Sequence, residues 1–271
     1  MKVKNLLAAL LLCLAGALQA AVVDTIDVHS AAMNKQIRVV VISPECKSSD
    51  LPVVYLLHGH GGDEKSWISI RPDLPEIAEQ YGMMMVCPDG ANSWYWDSPV
   101  NASMRYETFV ANELVDYIDS HYATRKRKEG RAITGLSMGG HGAMWLAFRH
   151  KDRFGAVGST SGGVDIRPFP NNWEMAKQLG KACDNRQLWE DHTVINQIDR
   201  LQNGDLAIIF DCGYSDFFYE VNVNFHHKLL KYKIDHDFLV RPGAHNAKYW
   251  RNSILYQLLF FYNYFAQNDQ P

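Results

Sequence analysis

The chain has 271 residues, 47% of them hydrophobic, and a formal net charge of −3. That near-neutral balance, with basic residues scattered, excludes a nucleic-acid binder that works by neutralising phosphates, and the length admits one α/β domain. The one concentrated basic run, Arg125-Lys126-Arg127-Lys128, falls between a predicted helix and a predicted strand and reads as a solvated loop.

Residues 1–20 read as a secretory signal. Lys2 and Lys4 form a basic start, Leu6 to Leu14 an apolar core, and Ala17-Leu18-Gln19-Ala20-Ala21 a small-residue cleavage site after Ala20. The expected product is an exported chain of residues 21–271, periplasmic or secreted. The apolar core is too short for a membrane span, and no second long apolar segment follows it. Cys46, Cys87, Cys183 and Cys212 remain after cleavage, and the sequence leaves their three full pairings open. No Cys-x-x-Cys occurs, so neither a structural zinc nor a dithiol redox site is expected.

Strand-like runs then alternate with helical patterns. Val22 to Val28 and Gln36 to Ile42, joined by a short polar loop, read as an antiparallel hairpin. Val53 to Leu57, Met83 to Cys87, Ala132 to Thr134, Ala156 to Ser161, Ala207 to Phe210 and Phe238 to Val240 follow. The later ones are continuous apolar runs, as strands covered on both faces require. Helical periodicity marks Leu74 to Tyr81, Tyr106 to His121, Met138 to Arg149, Phe217 to Tyr232 and Lys248 to Phe265. The alternation predicts an α/β protein with a mostly parallel eight-stranded sheet and helices on both faces. Residues 162–203 break the rhythm and read as a helical insertion over the site.

Gly135-Leu136-Ser137-Met138-Gly139 stands between the fifth predicted strand and a helix. Glycines flanking a serine on a sharp strand-to-helix turn are the signature of a nucleophile elbow, with the helix N-terminus behind the hydroxyl. A serine hydroxyl needs a histidine base, and the histidine needs a carboxylate to fix its tautomer. Asp216 lies in the turn after the seventh strand and His245 just past the eighth, so all three sit at the active end of a parallel sheet. Asp211, at the seventh strand's end, competes with Asp216. His141, His226, His227 and His236 fall in helices or at the wrong strand end.

The loop His58-Gly59-His60-Gly61-Gly62-Asp63 lets backbone approach a substrate oxygen, so the N–H groups of His60 and Met138 are the expected oxyanion donors. Its His-x-His also resembles a dinuclear zinc motif. Gly62 stands where that motif wants an acid and Asp63 where it wants a histidine, so no metal is expected. Trp94 and Trp96, in the loop after the fourth strand, are expected to wall an acyl or sugar pocket, against the alternative that they pack the core.

These stretches, with Pro88-Asp89-Gly90, Ser93-Trp94-Tyr95 and Asp211-Cys212-Gly213, resemble the "Putative esterase" family over nearly the whole mature chain. That family is similar to tributyrin esterases, S-formylglutathione hydrolases, feruloyl and acetylxylan esterases, and mycolyltransferases. The resemblance implies an α/β-hydrolase fold with Ser137 as nucleophile, Asp216 as acid and His245 as base. S-formylglutathione hydrolases are cytosolic, which the signal segment disfavours. The expected activity is a cofactor-free serine carboxylesterase acting on short-acyl or aryl esters, small molecules or polysaccharide. Acyl transfer to a sugar or lipid, and a non-catalytic carbohydrate-binding role, are the alternatives; oligomeric state is not legible.

Overall fold

A computed structural model describes residues 21–45 and 50–269; the signal expectation and Cys46 lie outside them. Eight strands form one sheet: β1 (Val22–Ser30), β2 (Lys35–Ser43), β3 (Val53–Leu57), β4 (Met84–Pro88), β5 (Arg131–Gly135), β6 (Ala156–Thr160), β7 (Ala207–Gly213) and β8 (Asp237–Arg241). Their order is β1-β2-β4-β3-β5-β6-β7-β8. The β1–β2 hairpin and the β2–β4 pair are antiparallel, and every pair from β4 to β8 is parallel.

The central strands are buried on both faces, which explains their unbroken apolar sequence. In β3 the pleat sends Val53, Tyr55 and Leu57 into one core layer and Val54 and Leu56 into the other. The first layer includes Phe109 and Leu114 from the helix over 106–121, which carries a π-helical stretch at Phe109–Leu114. It also takes the helix Met138–Arg149 (α1). The second layer packs Trp67, Leu74 and Ile77 together with Ile254, Leu258 and Phe261 of the C-terminal helix Ala247–Gln267.

One short helix, Ser66–Ile70, was not expected: five residues are too few to show a helical period. Between β6 and β7 the crossover holds the helices Met175–Leu179 and Arg186–Asp191 and a 3₁₀ stretch, Val194–Arg200. Cys87 and Cys212 are buried and free, and Cys183 is exposed and free. Among the described residues no helix is long and apolar enough to cross a membrane.

Candidate active site

The strand β5 ends at Gly135 and α1 begins at Met138, leaving two residues to reverse the chain. Ser137 takes the strain, with φ 56° and ψ −116°, a conformation that side chains other than glycine rarely hold. Its neighbours must be bare: a Cβ on Gly139 would lie 2.3 Å from the Leu57 carbonyl oxygen, and one on Gly135 2.4 Å from the Gly139 backbone. Backbone bonds then fix the turn, with Ser137 N–H donating to Thr160 O at 3.0 Å and Gly139 N–H to Leu136 O at 2.7 Å.

His245 Nε2 lies 2.8 Å from Ser137 Oγ. On the other side of the ring, Nδ1 lies 2.9 and 3.0 Å from the two Asp216 carboxylate oxygens. A carboxylate only accepts, so Nδ1 carries the proton and Nε2 offers its lone pair to the serine hydroxyl. Asp216 is buried and also accepts the Phe218 N–H at 2.8 Å, which holds it in the turn. Phe217, Phe218 and Trp250 surround the imidazole at centroid distances of 4.2, 5.5 and 5.0 Å.

Asp211 does different work. It is fully buried beneath the site and accepts from Thr160 Oγ1, Ser253 Oγ and Gln257 Nε2, with Arg241 Nη2 at 3.2 Å. These bonds join β6, β7, β8 and the C-terminal helix. His141 is equally internal. Burial pushes its imidazole down to about 3, and neutral Nδ1–H donates to Gly163 O at 2.9 Å.

The loop after β3 faces Ser137. His58 uses both ring nitrogens on backbone: Nε2 accepts the Gly90 N–H at 2.8 Å, and Nδ1 donates to Gly59 O at 2.7 Å. Neither lone pair is left for a cation. Among the described residues no three His, Cys, Asp or Glu side chains converge on one point. The backbone N–H groups of His60 and Met138 find no acceptor among the described residues.

Trp94 and Trp96 correct the sequence expectation. They are 1% and 0% exposed, stack on each other at 5.6 Å and meet His141 edge-on. Ala91, Trp94 and Tyr95 all have positive φ, which folds the loop inward and packs its rings under the elbow. The cleft over Ser137, about 350 Å³, is lined instead by Trp173 and Trp250 with Ile70, Leu136, Ser66 and the His60 loop. Trp250 had a legible signal, standing one turn into the helix that follows His245. Trp173 lies in the crossover expected over the site, but nothing in the sequence singles it out from Trp189.

A family model described as "Putative esterase" matches residues 30–261. The chain belongs to that family. An acetyl esterase from Caldicellulosiruptor saccharolyticus is 24% identical over 253 residues, covering 84% of this chain and 94% of that protein. An esterase from Mycobacterium tuberculosis strain H37Rv is 31% identical over 123 residues, 43% of this chain but only 26% of that protein's length. Among solved structures, the fluorophosphonate-binding serine hydrolase F of Staphylococcus aureus aligns with a TM-score of 0.81 at 20% identity, covering 90% of this chain and 99% of that one. A ferulic acid esterase aligns at 0.77 with 26% identity, covering 91% and 100%. The family member described above is therefore a carboxylic ester hydrolase with the α/β-hydrolase fold.

Proposed function

We propose that this esterase is exported and works through an acyl-enzyme on Ser137, with His245 as base and Asp216 as its orienting acid. The observation that carries the reading is the 2.8 Å approach of His245 Nε2 to the serine hydroxyl. His245 takes the hydroxyl proton as Oγ attacks the ester carbonyl. The N–H groups of His60 and Met138 hold the oxygen that becomes negative, aided by the N-terminus of α1. The imidazolium protonates the leaving alcohol. Water then enters, gives its proton to His245 and releases the acid.

The substrate class we infer is short-acyl or aryl esters borne on carbohydrate. An acetyl esterase relative and a ferulic acid esterase neighbour support it, as does a cleft of about 350 Å³ with aromatic walls. A panel of p-nitrophenyl acetate, butyrate and octanoate, methyl ferulate and acetylated xylan tests it. Ser137→Ala should lower turnover by about 10⁶ with folding unchanged and abolish fluorophosphonate labelling. Retention of a tenth of the activity would remove Ser137 from the mechanism. Export is tested by whether the processed chain begins at Ala21.

A further inference from the structure

The peptide that offers the His60 N–H needs a fixed orientation, because an oxyanion donor works only if it is aimed before charge develops. That peptide is held within the loop by Gly62 N–H and His58 Nδ1 on Gly59 O, and the next one, His60–Gly61, is held from outside the loop. The Gly61 N–H donates to Asn92 Oδ1 at 2.8 Å, and Asn92 Nδ2 donates to Glu174 Oε2 at 3.1 Å. The same carboxylate oxygen lies 3.6 Å from His60 Nε2, a buried nitrogen with no hydrogen-bond partner. Glu174 thus meets both residues of the His60–Gly61 step, one directly and one through Asn92.

Glu174 reaches this place at a conformational cost. Trp173 and Glu174 are consecutive left-handed residues, φ 48° and 57°, a conformation unfavourable for a side chain bearing Cβ. The Trp94 indole N–H donates to Trp173 O at 3.2 Å and holds the reversal in place. An exposed carboxylate that only paired with Lys177 would gain too little to offset this geometry. The backbone is bent where it delivers Trp173 to the cleft wall and Glu174 to the oxyanion loop.

We propose that Glu174 is a positioning residue for the oxyanion donor at His60, acting through Asn92, so that the β6–β7 crossover controls the charge-stabilising half of the site. The inference rests on the esterase reading. Glu174 does not contact the reacting atoms, so its loss should appear in kcat and not in KM.

The test is steady-state turnover of p-nitrophenyl acetate. Glu174→Ala should lower kcat about tenfold, a fraction of the 10²–10³ that a lost oxyanion donor costs, with KM changed less than twofold. Glu174→Gln keeps an oxygen for Asn92 and should retain at least half of wild-type kcat. Asn92→Ala should match Glu174→Ala, and the double variant should be no worse than either, because both cut one chain of contacts. An unchanged kcat, a change confined to KM, additive losses, or a Gln variant as poor as the Ala variant would each overturn the proposal. If Glu174→Ala fails to fold, Glu174→Gln against Asn92→Ala gives the same decision. A wild-type chain that hydrolyses no ester would instead sink the esterase reading itself.

Discussion

Asp211 and Asp216 stand five residues apart at one strand end, and their surroundings give them separate tasks. Asp216 keeps its carboxylate on His245, whereas Asp211 is encircled by Thr160, Ser253, Gln257 and Arg241. Asp216→Asn should lower kcat by roughly 10⁴ at unchanged stability, since the imidazole then settles in the wrong tautomer. Asp211→Asn should instead destabilise by about 1–3 kcal/mol, because an amide nitrogen cannot accept from the donors that converge on this buried carboxylate. Urea unfolding set beside kinetics separates the two, and a reversed pattern would move the acid to Asp211. Ser137, His245 and Asp216 were legible in the sequence because each follows a strand with an apolar run, and Asp211 because it stands near the end of one. Choosing between the acids was less so, since that choice depends on partners 42 and 46 residues further along the chain.

At the scale of elements, length and periodicity decide what a sequence discloses. The five-residue run of β3 and the twelve-residue helix after Ser137 both announce themselves. The Ser66–Ile70 helix does not, although it sends Ser66 and Ile70 to the cleft. The loop after β4 misleads in the other direction. Its position at the active end of the sheet is what suggested a pocket wall, but three left-handed residues turn its indoles inward. The consequence for stability is direct. Trp96→Ala should cost about 3–5 kcal/mol in unfolding free energy, as emptying a packed aromatic site does, and leave acyl preference unchanged. Trp173→Ala should cost less and raise the octanoate-to-acetate ratio of kcat/KM tenfold or more, given 1–3 kcal/mol per accommodated methylene. A selectivity change with Trp96→Ala and none with Trp173→Ala would return the wall to the β4 loop.

The molecule as a whole should be sensitive to acid well above the range where carboxylates protonate. Burial pushes His141 down to about 3, and burial also lowers His192 and His226. Each binds a proton more readily when unfolded, so the stability it contributes is complete above about pH 6.5 and is lost as pH falls toward the folded value. For His141 alone the loss at pH 5 is about 2 kcal/mol, from 1.4 kcal/mol per pH unit below the unfolded pKa. Denaturant midpoints at pH 7.5 and pH 5 measure it, and identical midpoints would mean that His141 is not held neutral.

The crossover between β6 and β7 also bears on descent. Its ends are tied into the sheet by Ser161 N–H on Asp211 O and Ala207 N–H on Gly155 O, and Val164, Met175, Leu179 and Ile198 of its interior join the buried core. Ser137, Asp216 and His245 all lie outside residues 162–203. A lineage can therefore redraft what the cleft accepts by changing the cleft-facing part of this stretch at Trp173, leaving its core residues and the reacting groups as inherited. Such a change has several dependencies on the rest of the chain: the Trp94 indole on Trp173 O and His141 Nδ1 on Gly163 O have to be kept, and Asn92, on a different loop, has to be traded with Glu174 as a matched pair.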